Sequence, residues 1–492
     1  MRDQLFRLSR DSGGSLQSQV REALVDAILG GHIPPGGALP SCRRLARQLG
    51  VARNTVVSAY QGLVDEGYLV ARERSGYFVA DDVLAGHVDH RDRPSATGGA
   101  GPRWDDRLRL HPGRHRNVEK RADWQRYPYP FLYGQFDLAL FPVAEWRECV
   151  RAASRIDAVA RWASDGVDRD DPALLEQIHT RLLPRRGVWA DADEILVTVG
   201  AQHALYLLAN LLVGDQTTVA MEDPGYPDAR NIFLLHTERL LGIPVDDGGL
   251  RLTPELADCD YVHVTPSHQS PTTVTMDLGR RQALLETARR HDLVLIEDDY
   301  ESEFNFVGEP TPALKSLDRD GRVIYVGSLS KTLAPGLRLG FLVGPRELVR
   351  ELRALRRLML RHPPANNQRA AALFLAQGHH DSLVRRLSHA FRERWQAMGE
   401  ALARHLPDSS RRPTFGGTAY WVEGPPGLDV ARLAEAAAAE GILIERGDVF
   451  YLCDDRPRST FRLGFSSIDV DHIEPGIARL AALVRRLTCS SR

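Results

Sequence analysis

The stretch Val326-Gly327-Ser328-Leu329-Ser330-Lys331-Thr332-Leu333-Ala334-Pro335-Gly336-Leu337-Arg338-Leu339-Gly340 is the most informative part of the sequence. It follows a β-rich run and places two serine hydroxyls, one lysine and one arginine within eleven residues. A lysine that forms a Schiff base with an aldehyde cofactor must be held at a strand end, and the cofactor's phosphate is bound by hydroxyls, backbone N–H groups and a guanidinium. We therefore predict Lys331 as the Schiff-base lysine, with Ser328, Ser330 and Arg338 around the phosphate.

A second β-rich run, Leu295-Ile296-Glu297-Asp298-Asp299-Tyr300, ends in carboxylates and a phenol. Pyridoxal 5'-phosphate (PLP) needs a carboxylate that keeps its ring nitrogen protonated and a donor at its phenolic oxygen. We assign these roles to Asp298 and Tyr300 respectively. PLP is therefore the predicted cofactor.

Further candidates lie on or after other β-rich runs. At the start of a helix, exposed N–H groups and the helix dipole favour a phosphate, which makes Gly200, Ala201 and Gln202 candidates. Tyr226 can stack on the pyridine ring, and Arg462 is suited to bidentate capture of a substrate carboxylate. Each residue alone has an ordinary structural explanation, but the whole set in this order favours a cofactor pocket.

From about residue 127 onward, helical stretches alternate with short β-rich runs at 194–199, 218–221, 261–264, 293–297, 323–326 and 339–343. This alternation predicts a large α/β domain over 127–492 with a mostly parallel sheet. The pattern is mainly helical after Gly344, which predicts a smaller α+β lobe over about 345–492. Residues 81–126 mix Gly, Pro, Asp, Arg and His with little apolar pattern, and we interpret them as a linker.

The first 80 residues predict a separate DNA-binding module. An amphipathic helix over 15–29 is followed by a helix that starts after Ser41 and, beyond the turn at Gly50, by a third helix over 54–66. This is the layout of a helix-turn-helix, in which the start of the second helix of the motif reaches base edges. The predicted base or phosphate contacts are Arg53, Asn54 and Thr55. The run 68–79 turns at 74–76 and predicts a β-hairpin wing.

Composition limits the other function classes. The 492 residues are 43% hydrophobic and 26% charged, as in a soluble globular protein, and no apolar run reaches the ~20 residues of a membrane helix. We therefore expect a cytoplasmic protein that does not contact membranes. The net charge of −2 gives no global signal for nucleic acid, so a DNA-binding surface must be local.

No metal site is predicted. Five scattered cysteines lack the paired spacing of zinc ligands, and neither His87 with His90 nor His379 with His380 has a third ligand at suitable spacing. We interpret these histidines as solvated loop residues.

The N-terminal motifs resemble the GntR-type winged helix. The resemblance is carried by Leu39-Pro40-Ser41, Leu45-Ala46, the turn at 51–56 and the string 62–68. It implies DNA contacts at Arg43, Arg53 and the wing residue Gly76; Arg44 is a further candidate. The lysine site and its companions resemble the fold-type I aminotransferase class.

Together, the two halves resemble the MocR/GabR family of bacterial transcriptional regulators. The resemblance implies a homodimer that binds operator DNA and an amino-compound effector. Asp228 stands where the γ-aminobutyrate-responsive members carry an effector-binding Arg, which indicates instead an effector with a second amino group. The segment 129–137, with His268-Gln269, resembles the branch linked to ectoine or diaminobutyrate use.

The predicted function is a PLP-dependent DNA-binding regulator that senses an amino compound by external aldimine formation at Lys331. Two alternatives remain open. One is an active aminotransferase with an attached DNA-binding domain; the other is a PLP sensor that controls vitamin B6 synthesis. In the favoured interpretation the large domain has at most residual transaminase activity.

Overall fold

The computed structural model describes residues 14–85, 102–307, 311–407, 409–411, 415–453 and 456–489. The chain divides into two compact units, with the boundary between Arg107 and Leu108. Among the described residues, no helix is both long and apolar enough to cross a membrane.

The first unit contains a three-helix core followed by a hairpin. Its elements are α1 (Leu16–Leu29), α2 (Cys42–Leu49), α3 (Arg53–Asp65), β1 (Leu69–Arg72) and β2 (Gly76–Val79), the two strands being antiparallel. The Ser41 hydroxyl caps α2 by accepting from the backbone N–H of Arg44, and Gly50 ends that helix in the left-handed region at φ 67°. The core is formed by buried side chains of all three helices, including Leu24, Leu45 and Tyr60. This is the predicted winged helix-turn-helix.

The second unit is built on an eight-stranded sheet with strand order β4-β11-β10-β9-β8-β5-β6-β7. The strands of this unit are β3 (Tyr129–Pro130), β4 (Ile195–Thr198), β5 (Val219–Asp223), β6 (Leu240–Asp246), β7 (Gly249–Leu250), β8 (Tyr261–Val264), β9 (Val294–Asp299), β10 (Val323–Ser328), β11 (Gly340–Val343), β12 (Ser410–Arg411), β13 (Ala419–Glu423), β14 (Ile442–Leu443), β15 (Glu445–Arg446) and β16 (Thr460–Gly464). Strands β6, β5, β8, β9 and β10 are mutually parallel, whereas β11 is antiparallel to both of its neighbours. Because β4 and β10 both run opposite to β11, the carboxyl ends of β4, β5, β8, β9 and β10 share one edge of the sheet.

Helices of this unit cover both faces of the large sheet and also form part of the smaller lobe. They are α4 (Val143–Ala153), α5 (Ile156–Trp162), α6 (Pro172–Gln177), α7 (Leu183–Arg185), α8 (Ala201–Leu212), α9 (Pro227–Phe233), α10 (Leu278–His291), α11 (Leu314–Leu317), α12 (Arg346–Leu360), α13 (Ala365–Ala376), α14 (His379–His405), α15 (Val430–Ala439) and α16 (Val470–Cys489). Alternate residues of β10 show the two faces: Ile324 and Val326 pack with α8 and α12, whereas Tyr325 lies in the core that includes α13 and α14.

The smaller lobe contains the four-stranded sheet β12-β13-β16-β15, with α15 and α16. Helix α12 packs on α8 of the large sheet, and α13 packs on α4 and α6. The lobe therefore starts later than residue 345, at the long helix α14. The pattern after Gly344 did not show this because helices of both lobes have the same apolar period.

The segment interpreted as a linker also differs from the prediction at its C-terminal end. Residues 108–128, which we call the connecting segment, belong to the second unit. Arg116 donates to the Leu452 carbonyl at 3.1 Å, and its own carbonyl accepts from Arg230 at 2.5 Å. These contacts are polar, so the absence of apolar periodicity did not mean the absence of tertiary structure.

The histidine interpretation is wrong for His379 and His380. Both lie in the first turn of α14, and the side chain of His380 is buried, 3.1 Å from the hydroxyl of Thr332. Burial lowers the pKa of His380 to about 4. His87 and His90 lie outside the described residues.

Candidate cofactor and effector site

A pocket of about 410 Å³ opens at the edge of the sheet where β9 and β10 end. Most of the residues predicted from the sequence line it together: Ala201, Gln202, Tyr226, Asp298, Tyr300, Ser328, Ser330, Lys331, Arg338 and Arg462. Parallel strands explain this convergence, because residues that follow different strands meet at one edge even when they are far apart in sequence.

Lys331 is one of the residues that line the pocket. It is partly buried, and its Nζ lies 4.1 Å from the centroid of the Tyr133 ring. Desolvation lowers the pKa of Lys331 to about 8, against the opposing effect of the nearby carboxylate of Glu301. A lysine with a lowered pKa has a larger fraction of neutral, nucleophilic amine at physiological pH than an ordinary surface lysine.

Asp298 faces the pocket because side chains alternate along β9. Its neighbours are used elsewhere: Glu297 accepts the backbone N–H groups of Leu314 and Lys315, and Asp299 accepts from Arg186 at 2.7 Å. Asp298 is 3% exposed, and its Oδ1 has no hydrogen-bond partner among the described residues. A buried carboxylate oxygen without a partner is costly, so this atom is placed to accept an N–H from a ligand.

The predicted phosphate residues form a cup between β10 and the start of α8. Ser328 Oγ accepts the N–H of Ser330, while Ser330 Oγ is buried without a partner in the described part of the chain. Arg338 donates to the carbonyl of Val199 at 3.2 Å. Gly200, at φ +78°, allows this approach, because an added Cβ would lie 3.0 Å from the Arg338 guanidinium.

This donor set fits PLP. The cup offers hydroxyls, a guanidinium and the N-terminus of α8 to a phosphate, and the unpartnered oxygen of Asp298 suits a protonated ring nitrogen. Lys331 lines the same pocket as these two groups, and its amine would be the group that bonds an aldehyde cofactor held there.

The two tyrosines have hydrogen bonds that modify their predicted roles. The hydroxyl of Tyr300 donates to the carbonyl of His268 at 2.7 Å, so its proton is already used and the predicted donation to the ring oxygen requires release of that bond. The hydroxyl of Tyr226 donates to Asp228 Oδ2 at 3.0 Å. Tyr226 keeps its ring at the pocket wall, as stacking requires.

Arg462 lies on β16 in the small lobe and reaches the same pocket. It is 5% exposed, and its Nε donates to Glu445 at 2.7 Å. No described residue hydrogen-bonds its two Nη atoms, and the guanidinium lies 4.2 Å from the centroid of Tyr133. The pocket therefore joins Lys331 on the large sheet to an arginine on the other lobe.

Several further lining residues were absent from the predicted site, among them Asn117, Val118, Lys120, Tyr133, Gly134 and Phe450. The first three come from the connecting segment. No periodicity or motif marked them, because the segment is held by polar contacts such as those of Arg116 with Leu452 and Arg230, more than a hundred positions away. Tyr133 lies in the aromatic-rich segment 129–137, so a signal for it existed in the sequence.

Comparison with known proteins agrees with both halves. Residues 158–480 match the family model "Aminotransferase class I and II", and residues 16–79 match "Bacterial regulatory proteins, gntR family". The chain is 42% identical to the HTH-type transcriptional regulator TauR of Rhodobacter capsulatus, over 98% of this chain and 99% of that protein. It is 34% identical to the probable rhizopine catabolism regulatory protein MocR of Rhizobium meliloti, over 82% and 80% of the two chains.

The chain belongs to the MocR-type family of GntR regulators. Its large unit also resembles the α-aminoadipate aminotransferase LysN of Thermus thermophilus, solved with N-(5'-phosphopyridoxyl)-L-leucine, at a TM-score of 0.71 and 27% identity, covering 79% of this chain and 99% of that one. The protein is a PLP-dependent DNA-binding transcriptional regulator, and its aminotransferase-like domain binds PLP.

In this MocR-type chain the DNA-binding candidates lie together on the winged helix. Arg53 and Asn54 are exposed in the first turn of α3, with Thr55 half-buried beside them. Arg43 and Arg44 are exposed at the start of α2. Gly76, at φ +103°, is the first residue of β2 and directly follows the turn of the wing. Their exposure leaves Arg43, Arg44 and Arg53 accessible, and they remain the predicted phosphate or base contacts.

No group of three or more His, Cys, Asp or Glu side chains in the described part of the chain is arranged to hold a metal ion.

Proposed function

We propose that the pocket senses a primary-amine effector and that its occupancy changes how a cytoplasmic homodimer binds operator DNA. In this proposal Lys331 bonds the cofactor, Asp298 holds its ring nitrogen, and Arg462 binds the effector. The observation that carries this proposal is that Lys331 and Arg462 line one open pocket. The two Nη atoms of Arg462 have no hydrogen-bond partner among the described residues, so they can bind a ligand.

When PLP is bound, its aldehyde carbon supplies reversible covalent chemistry with primary amines. The chain's own residues determine which amine is held and what it moves. Arg462 lies on the small lobe and Lys331 on the large sheet, so an effector that contacts both favours a closed arrangement of the lobes. The effector can control DNA binding only if it binds the closed and the open arrangement with unequal affinity.

An effector with a second amino group, as in diaminobutyrate, is the expectation from Asp228. Asp228 lines the pocket, but Oδ1 accepts from Asn117 at 2.5 Å and Oδ2 accepts from Tyr226 at 3.0 Å. A comparison of 2,4-diaminobutyrate with 2-aminobutyrate measures the contribution of the second amine directly.

The test is a titration of the purified, PLP-loaded protein with candidate amines, following the visible absorption and the affinity for its own upstream DNA together. An amine that changes both, in the same concentration range, supports the proposal. Borohydride reduction and peptide mapping should place the pyridoxyl mark on Lys331. Lys331→Ala should lose the visible band and the DNA response, whereas Lys315→Ala, which removes a lysine outside the pocket, should keep both.

The rival function is a true aminotransferase, since Lys331, Asp298 and Arg462 also suffice to hold a substrate for proton transfer. Rapid multiple turnover with a 2-oxo acid, at constant DNA affinity, would establish the rival. A DNA response to PLP alone would establish the cofactor-sensing alternative.

A further inference from the structure

The chain contains three lysines among 63 basic residues. Two of them, Lys120 and Lys331, line the same pocket, and the third, Lys315, pairs with Asp318 at 3.1 Å. Arginine and lysine are not interchangeable, because the ammonium is a compact charge with three rotatable donors. In a chain that uses arginine almost everywhere else, a second lysine in the pocket points to a specific role.

The two ammonium groups are close to each other. An added Cβ on Gly134 would lie 2.5 Å from Nζ of Lys331 and 3.9 Å from Nζ of Lys120. Lys120 is exposed overall, and its Nζ lies 6.0 Å from the centroid of Tyr133, the ring that Lys331 and Arg462 also face. Three cations therefore surround one aromatic side chain.

These cations differ in their partners. Arg462 has Glu445, and Lys331 has the nearby carboxylate of Glu301. Lys120 donates to a neutral acceptor, the carbonyl of Tyr133, at 2.8 Å, and no ion pair joins it to a described residue. Two of its three N–H groups remain for a ligand.

Lys120 lies on the effector side of the pocket, because it and Arg462 face the same ring of Tyr133. Desolvation lowers the pKa of Lys120, Glu445 and Asp228 raise it, and Arg462 lowers it. A cation with spare donors beside Arg462 is suited to an anion held next to that guanidinium.

We propose that Lys120 contacts the effector and, with Arg462, binds its acidic group, which makes Lys120 a residue that determines specificity for acidic effectors over neutral ones. This inference rests on the proposed amine-sensing function. Because both oxygens of Asp228 already accept hydrogen bonds, the acidic end of the effector contributes more to recognition than a second amine. Lys120 also belongs to the connecting segment, so an effector held there contacts the part of the chain that leads to the winged helix.

The experiment compares acids with their amides on the PLP-loaded, full-length protein. The probes are glycine, β-alanine and γ-aminobutyrate, each paired with its amide, which keeps the amine and removes the negative charge. Apparent Kd values come from the visible absorption and from calorimetry. We expect the best acid to bind at least about tenfold more tightly than its amide, as a charge-assisted contact predicts.

Lys120→Gln should lower this acid-to-amide ratio by about tenfold while the amide's own Kd stays within about twofold. Arg121→Gln is the matched control: it removes the next charge on the same segment, where Arg121 is paired with Asp123, and should leave the ratio unchanged. A purely structural role for Lys120 would weaken acid and amide alike and would overturn the inference.

The unsubstituted protein tests the inference independently, even where the variant fails to fold. Equal affinity for acids and amides would overturn the role of Lys120 while leaving amine sensing intact. If no acid or amide changed the absorption, amine sensing itself would fail, and the inference with it.

Discussion

The two units of this chain use cationic side chains in different ways. On the winged helix Arg43, Arg44 and Arg53 are exposed, whereas in the pocket Arg462 is buried against Glu445 and Lys331 is partly buried. Exposed cations bind phosphates largely through counterion release, which weakens with salt. Buried cations are screened much less and depend on specific partners. Substitutions should therefore have large, partner-specific effects in the pocket and small, salt-dependent effects on the winged helix.

The largest effect is expected at Arg462. Arg462→Gln leaves the carboxylate of Glu445, which is 2% exposed, without its ion-pair partner. Removal of one member of a buried pair costs about 3–5 kcal/mol, so the free energy of unfolding of the second unit should fall by that order in urea titrations. The double variant Arg462→Gln/Glu445→Gln should recover most of this stability but not the affinity for acidic effectors. If Arg462→Gln were as stable as the parent protein, the proposed difference between buried and exposed cations would be wrong.

Substitution of Asp298 tests whether a buried anion in the pocket also has a large, partner-specific effect. Asp298→Ala removes the buried carboxylate from the position of the ring nitrogen, and we expect PLP affinity to fall by about 100-fold, the value of one charge-assisted buried contact. PLP retained after desalting and a spectroscopic Kd measure this. Asp228→Asn, in the same pocket but on the effector side, is the control and should retain PLP. Equal losses in both variants would contradict the separation of cofactor and effector sides.

Because desolvation lowers the pKa of Lys331, the rate at which the apoprotein captures PLP should depend on pH. Only the neutral amine attacks an aldehyde, so the rate of PLP capture by the apoprotein should rise with pH through about 8, rather than near the 10.5 of an ordinary lysine. Glu301 raises the pKa of Lys331 and Lys120 lowers it. Glu301→Gln should therefore move the midpoint to lower pH, and Lys120→Gln should move it to higher pH. Stopped-flow absorbance between pH 6 and 10 measures both shifts, and shifts of the same sign would refute this electrostatic account.

The difference between the two units also explains what the sequence could predict. The winged helix depends on local signals, such as the cap at Ser41 and the turn at Gly50, and these fall where the pattern indicated. The cofactor side was predictable because Asp298, Ser328 and Lys331 follow strands whose ends must meet at one edge.

The effector side was predicted only in part. Arg462 is on a strand and carried a recognisable pattern, but Lys120 lies in a polar segment that is held by side-chain contacts to residues distant in sequence. The hydrogen bond that engages Tyr300 was also inaccessible to sequence reasoning, because it depends on the position of the His268 carbonyl. The sequence analysis therefore missed the contacts that no local periodicity or motif encodes.

The smallest effect is expected at Arg43 on the winged helix. Arg43→Gln should weaken binding to the upstream DNA by a few-fold at low salt and reduce the slope of log K against log salt by about 0.9, the value for one lost phosphate contact. Arg21→Gln is a matched control. Arg21 is paired with Glu66, which follows the C-terminal end of α3, and an exposed ion pair contributes little to stability. Filter binding or fluorescence anisotropy at several salt concentrations measures both slopes. An unchanged slope for Arg43→Gln would remove Arg43 from the DNA contacts, and an effect on PLP or amine binding would contradict the division of roles between exposed and buried cations.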